Sequence, residues 1–390
     1  MSVFFYFAPG RLLFPYLRLM EYDETVYACA INRVFNYNCR DARMLTDRFS
    51  SPGEIFELTG RELRGLLQDD GHYSDALADP RTLKAADEEV RWARAGGVGI
   101  IYIRDKEYPR RLRECPDAPV VLFYKGTCSL NPSRAVAVVG TRKATPYGLR
   151  QCRQIIADLA ALRDRPAVIS GLAYGIDITA HLAALEHGMD TIAVLPTGMD
   201  SIYPPPHRGH AARIARAGAV VTDFPKGSSP MAATFLRRNR IIAGMSDAVV
   251  LVESAEKGGG LITARTALSY SREVLALPGR VGDRWSEGCN RLIESNGAAL
   301  ISSPGSVAAA MGWTDRSSGD RNDIFQKLFE ESDYIQRNIL LTLSADSAVE
   351  RNELIRKSGA DPALVLDRLT RMELDGFIGS DIFGRYILKV

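Results

Sequence analysis

Apolar residues follow two different periods along this chain. Through the middle, short and nearly continuous apolar runs recur at 135–139, 167–169, 191–195, 219–222, 248–252 and 274–277, with a last short one at 299–301. The stretches between them, such as 147–162, 176–187 and 263–271, are long enough for crossover helices. This alternation predicts an α/β fold: a doubly wound parallel, extended Rossmann-like sheet covered on both faces, with ligands at the carboxyl ends of its strands. Two further runs, 99–103 and 120–124, read as strands leading into that unit. Upstream, helical spacing at 26–34, 42–49 and 55–58 is broken by Ser51-Pro52-Gly53 and Thr59-Gly60, which predicts a module of short helices. Downstream, helical patterns at 334–343, 350–357 and 362–374 precede two short strand patterns, 376–378 and 386–388. Three helices and a hairpin predict a winged helix.

These elements divide the chain into a helical module at 20–98, a Rossmann-like domain at 99–305, a linker at 306–322 and a winged-helix domain at 323–390. The helical module resembles sterile-alpha-motif and helix-hairpin-helix bundles. Residues 1–19 are apolar but interrupted by Pro9, Gly10, Arg11 and Pro15, too broken to span a bilayer. They read as a non-native or disordered extension with Met20 as the true start, or as a loosely packed arm. Hydrophobic residues make up 46% and charged residues 25%, which excludes wholesale disorder and a multi-span membrane protein. The net charge of +2 hides an uneven distribution. Residues 134–305 hold 20 basic and 14 acidic side chains, a local excess of +6, whereas 321–390 hold 10 and 12. A basic middle suits a phosphate-bearing partner. The six cysteines form no CxxC pair, so reduced thiols in a cytoplasm are expected.

Candidate chemistry gathers after the predicted strand ends. The first strand runs into Gly140, Thr141, Arg142 and Lys143. Gly140 would let amides approach a ligand and Arg142 could grip a phosphate, although a structural turn with a solvated basic pair explains the same residues. The loop is neither GxGxxG nor GxxxxGK[ST], which argues against dinucleotide binding and P-loop hydrolysis. The second strand ends in Ser170-Gly171-Leu172-Ala173-Tyr174-Gly175, small enough in most positions to admit a backbone or phosphate. Asp177 and His181 stand one helical turn apart without a third metal ligand nearby, so a cap or an internal hydrogen bond is expected for them. Arg237, Arg238, Asn239 and Arg240 precede an apolar helical stretch, and such charges call for an anion or a carboxylate. Lys257 with Gly258, Gly259 and Gly260 offers an amide nest, and Asn290 follows the Pro278-Gly279-Arg280 turn. No paired carboxylates share a motif and no Ser-His-Asp or Cys-His grammar is present, so the rim reads as a polyanion-binding surface.

The set GTRKATPYG (140–148), SGLAYGID with His181, TIAVLPTG (191–198), FLRRNRIIAG (235–244), GGGLITA (258–264), LPG (277–279) and GCNRLI (288–293) resembles the DNA-processing protein A (DprA, or Smf) family over about 170 residues. That resemblance implies a protein that binds single-stranded DNA and loads a RecA-type recombinase on it during natural transformation and recombination. It further implies a homodimer, with no enzymatic activity and no cofactor. Carried over by motif, the DNA-contact positions are Gly140, Arg142, Ser170, Gly171, Arg238, Asn239, Arg240, Lys257, Gly258, Gly259 and Asn290. The sequence departs from the family where Leu236 replaces a usual Pro, Gly258-Gly259-Gly260 a usual Ser-Gly-Ser, and Thr222-Asp223 a usual Ser-Glu. A nucleotide phosphoribohydrolase on a similar sheet is the first alternative, weakened because 258–264 hold no Glu or Asp. A winged-helix transcription regulator is the second, weakened because Asp361, Asp367, Glu373 and Asp375 surround Arg368 and Arg371.

Overall fold

The computed structural model describes residues 22–36, 38–303, 305–313, 328–345, 348–381 and 384–388. The expected extension at 1–19 lies outside them. Among the described residues six helices come first: α1 (Glu24–Val34), α2 (Cys39–Arg48), α3 (Pro52–Ile55), α4 (Gly60–Leu67), α5 (His72–Ala78) and α6 (Pro80–Ala95). Local chemistry sets their starts. The Asp23 side chain accepts from the Thr25 amide at 2.6 Å, and Thr59 with Glu62 forms a reciprocal capping box on α4. The longest, α6, buries Ala86, Glu89, Val90 and Ala93, a face that leaves little apolar signal in the sequence.

The central elements are β1 (Gly99–Tyr102), α7 (Arg110–Arg113), β2 (Val121–Gly126), β3 (Ala135–Val139), α8 (Pro146–Ala160), β4 (Ala167–Ser170), α9 (Ile176–Glu186), β5 (Thr191–Val194), α10 (Arg208–Ala217), β6 (Ala219–Thr222), α11 (Ala232–Gly244), β7 (Ala248–Leu251), α12 (Gly259–Ser269), β8 (Glu273–Ala276), α13 (Glu287–Glu294), β9 (Ala299–Leu300) and α14 (Ser306–Ala310). Nine strands form one sheet in the order β1-β2-β6-β5-β4-β3-β7-β8-β9. Seven are parallel, from β6 to β9. The two strands expected to lead into the domain form an antiparallel edge, β1 on β2 and β2 on β6. Val136 and Val138 face one core with Ile156 and Ala180, while Ala137 and Val139 face the other with Ile241 and Ala264. Burial on both faces explains the unbroken apolar strands. Strand order reverses between β3 and β7, and a doubly wound sheet opens its crevice there, at the carboxyl ends.

The helical module does not stand apart from this sheet. Ile31, Leu45, Ile55 and Val90 share a core with Val121 and Phe123 of β2. The Asn32 amide donates to the Asp223 carbonyl at 2.9 Å, and Glu89 accepts from the Lys226 amide at 2.5 Å. One compact unit therefore runs through the module, the sheet and on to Trp313. The first part of the expected linker belongs to it: Val307 of α14 and Trp313 are buried, with the Arg134 guanidinium 5.7 Å from the Trp313 ring centre.

The second unit holds α15 (Tyr334–Ala345), α16 (Arg351–Ser358), α17 (Pro362–Leu374), β10 (Ile378–Ser380) and β11 (Tyr386–Leu388). Its strands pair antiparallel around a core of Ile339, Leu354, Val365, Leu369 and Ile378. This is the winged-helix arrangement read from the apolar pattern.

Candidate nucleic-acid interface

The rim is built outward from the β3–β7 crevice. At the end of β3 the Thr141 amide donates to the Glu253 carbonyl at 2.8 Å. The Glu253 carboxylate, just past β7, accepts from the Thr145 amide at 2.8 Å and from its hydroxyl at 2.5 Å. Thr145 in turn caps α8 by accepting from the Gly148 amide at 3.2 Å. The 140–145 loop is thus clamped at both ends, with Arg142 and Lys143 exposed between the clamps. The Arg142 guanidinium lies 4.6 Å from the Phe235 ring centre, and Phe235 meets Tyr203 edge-on at 5.4 Å. Stacking fixes the plane of the guanidinium but leaves its N–H groups free to bind. Among the described residues, neither Arg142 nor Lys143 has a carboxylate partner.

Next to it, Ser170 at the end of β4 is fully buried and donates to the Val138 carbonyl at 2.6 Å. Its hydroxyl serves the sheet. Gly171 presents its carbonyl to Arg238, 2.6 Å away, and Arg238 also binds the Val194 carbonyl and, at 3.2 Å, the Asn239 side chain. Arg238 is only 3% exposed. Burial lowers its pKa to about 10, against the opposing pull of Asp177, so it stays protonated at neutral pH as a fixed positive charge beneath the rim. A Cβ at Gly171 would run into this guanidinium. Gly171→Ala should therefore displace Arg238 and lower the melting temperature by several degrees, measurable by calorimetry; an unchanged transition would contradict the packing.

Two residues further on, α11 turns Arg240 the other way. Its guanidinium meets Asp223 at 2.5 Å, the Asp117 carbonyl and the Cys39 sulfur at 3.3 Å, and Arg237 reaches the same Asp223 oxygen at 2.9 Å. Burial opposes the charge on Arg240, but Asp223 together with Cys39, Asp117 and Tyr108 outweighs it and holds its pKa above the usual arginine range. The sequence marked Arg240 as a DNA contact; the structure places it in the seam between α11, the end of β6 and α2. Asp223 supplies the carboxylate that the arginine run called for.

On the other side of the crevice, α12 begins at Gly259 with no side chain capping it. A Cβ at Gly260 would sit 3.5 Å from the Gly140 Cα, so the first turn of α12 packs directly on the β3 loop. Gly259 faces open space. Lys257 is exposed and, with Gly258, lines a cavity of about 520 Å³ that also takes in Arg265, Arg291 and Leu261. Asn290 is spent on the neighbouring turn: it accepts from the Gly279 amide at 3.0 Å and donates to the Gly279 carbonyl at 3.1 Å. The candidate residues thus divide into two groups. Arg142, Lys257 and Gly259 are exposed on the two sides of the crevice, with half-buried Gly140 and Gly258 next to them, and Asn239 is half-buried beside Arg238. Ser170, Gly171, Arg238, Arg240 and Asn290 are built into the support of the rim.

Residues 99–312 match the family described as DNA recombination-mediator protein A, and 332–378 match a winged helix-turn-helix DNA-binding family. The chain belongs to the DNA recombination-mediator protein A (DprA/Smf) family. Protein Smf of Escherichia coli is 34% identical over 322 residues, covering 80% of this chain and 82% of that protein. A putative DNA processing protein DprA of Mycobacterium tuberculosis H37Rv is 37% identical, over 75% of this chain and 77% of the relative. Protein Smf of Synechocystis is 42% identical, but the match spans about half of each, 53% and 52%. The X-ray structure of DprA from Streptococcus pneumoniae superposes with a TM-score of 0.64 at 31% identity, over 74% of this chain and 98% of that one. DprA from Helicobacter pylori, whose structure is described as showing a unique single-stranded DNA binding mode, gives 0.50 at 28% identity, over 55% and 95%.

Within this DprA-family fold, Asp177 and His181 are internal. His181 is fully buried, with Nδ1 2.7 Å from the Thr191 hydroxyl. That hydroxyl donates to the Val168 carbonyl at 2.8 Å, so the ring is the donor and Nδ1 carries the proton. Burial holds the His181 pKa down to about 3, and burial raises that of Asp177. Among the described residues no group of three His, Cys, Asp or Glu side chains could hold a metal. The depressed histidine has a consequence for stability. Unfolded chains bind a proton at His181 below about 6.5 while the folded chain does not until about 3, so stability is lost as pH falls through that window. His181→Gln should flatten this pH dependence of the melting temperature; an unaltered slope would assign it elsewhere.

Two supporting groups carry no signal of their own in the sequence. Glu253 is a lone acid after a strand, and Phe235 is one aromatic in an arginine-rich stretch. Only the fold shows that the first clamps the 140–145 loop and the second carries Arg142.

Proposed function

We propose that this chain binds the sugar–phosphate backbone of single-stranded DNA along the carboxyl rim of its sheet and loads a RecA-type recombinase on it. The observation that carries this reading is the pairing of groups across the crevice: stacked Arg142 and exposed Lys143 on one side, and the uncapped start of α12, packed on Gly140, with exposed Lys257 on the other. Cations and bare amides across one crevice suit a polyanion of variable sequence. The described binding mode of the Helicobacter pylori relative supports the choice of a single strand. We place this activity in the cytoplasm, in recombination and natural transformation, with the chain acting as a homodimer.

The role is binding rather than catalysis. Glu253, just past β7, is committed to Thr145; Asp177, beside the Arg142 loop, is buried and accepts from the Ala173 amide; and Asp223, at the end of β6, is committed to Arg237 and Arg240. This also disfavours the phosphoribohydrolase alternative, which needs a carboxylate free to act at a sugar. The winged helix does not favour duplex reading. Arg368 is bound by Asp333 at 2.6 Å and Asp367 at 2.5 Å, and Arg371 by Asp367 at 3.2 Å. These two cations are turned onto acids of their own unit rather than outward to phosphates.

Gel-shift titration of the full chain with single-stranded and duplex oligonucleotides across a salt series, with recombinase loading scored in parallel, tests the reading. Preference for the single strand, weakening steeply with salt, is expected. Equal or tighter duplex binding, or no stimulation of loading, would contradict it.

A further inference from the structure

We infer that Tyr174 is a stacking platform for one unpaired base of the bound strand, set immediately beside the Arg142 phosphate anchor. The inference rests on the single-strand reading above and names a base-contacting residue within it.

Tyr174 sits in the short loop between β4 and α9, and both of its flanks are fixed. Before it, Leu172 is fully buried and holds φ 56°, a left-handed value that a leucine adopts only when its surroundings impose it. The Leu172 carbonyl accepts from Nδ1 of the buried His207 at 2.7 Å. After it, Gly175 holds φ 76°, and a Cβ there would strike the Thr141 carbonyl and lie 3.0 Å and 3.1 Å from the Arg142 backbone carbons. Only glycine permits this approach, so the chain at 174 lies flush against the Arg142 loop.

Between these two constraints Tyr174 stays 45% exposed. His207 meets it edge-on, with centroids 4.7 Å apart at 68°. Among the described residues the Tyr174 hydroxyl has no hydrogen-bond partner. A large aromatic ring, held by its neighbours yet left in solvent, contributes little to the core. A nucleobase offers the matching π-face, and stacking of this kind tolerates any base. With a phosphate at Arg142, the base attached to it or to its neighbour falls within reach of the adjacent ring.

The test compares wild type, Tyr174→Ala and Tyr174→Phe on a short oligothymidylate and on the same oligonucleotide with abasic sites throughout its centre. Wild type should bind the thymidylate roughly tenfold more tightly than the abasic strand, and Tyr174→Phe should keep that ratio. Tyr174→Ala should lose it, binding both strands as wild type binds the abasic one, with an unchanged melting temperature. If Tyr174→Ala keeps the ratio, or weakens both strands equally, the stacking assignment is overturned while the backbone reading stands. If wild type binds neither strand, the single-strand reading itself fails, and the platform with it.

Discussion

Arg142→Ala should weaken binding of a single-stranded oligonucleotide by about ten- to 100-fold while leaving the protein as stable as wild type. The side chain is exposed, stacks on the Phe235 face and, among the described residues, has no carboxylate partner. A cation–π contact at such a site contributes only about 0.5–1 kcal/mol, so the melting temperature should move by no more than a few degrees. A hydrogen bond from a charged donor to a phosphate contributes roughly 1.5–3 kcal/mol, which sets the loss of affinity. Removing one phosphate contact should also reduce the slope of log affinity against log salt by about 0.7, the increment for a single strand. Arg142→Lys should recover only part of the affinity, since an ammonium can neither fork onto two oxygens nor stack as a plane on Phe235. Fluorescence anisotropy at several salt concentrations measures both quantities. Full affinity with an unchanged slope would remove Arg142 from the interface.

Arg240→Ala should behave in the opposite way. Arg240 is 7% exposed and its guanidinium pairs with a fully buried Asp223, so its loss strips one partner from a buried charge. Breaking a buried pair costs about 3–5 kcal/mol, and the remaining Arg237 contact at 2.9 Å keeps the figure near roughly 3 kcal/mol. Urea unfolding should show that loss, with the folded fraction binding single-stranded DNA within about twofold of wild type. Arg240→Ala that unfolds like wild type yet loses DNA would place Arg240 at the interface after all.

The contrast between these two arginines shows how far the sequence could be read. The strands, the crossover helices and the winged helix were legible because burial on two faces, or on one stripe, imposes a period on the apolar residues. The rim was legible for a related reason: in a parallel sheet every strand end comes to the same edge, so Gly140, Gly171, Lys257 and Asn290 are brought there by topology alone. Side-chain direction within that edge was not legible. Arg238 and Arg240 differ by two positions on a helix, which turns them to opposite sides. What each one meets depends on Gly171 and Asp223, far away in sequence. The same limit left α6 without bounds inside the helical module, since its buried face is only Ala86, Glu89, Val90 and Ala93, and it hid the seam joining the first helices to the sheet. That seam rests on single polar contacts such as Asn32 to Asp223, which leave no periodic trace.

Hydrogen–deuterium exchange of the full chain, with and without a saturating single-stranded oligonucleotide, puts the whole rim to the test at once. Protection should appear together in the peptides covering 140–145, 171–175 and 257–261, with 334–388 unchanged. Protection confined to 334–388, or absent from the three strand-end loops while the oligonucleotide is bound, would contradict a DNA path along the carboxyl edge of the sheet.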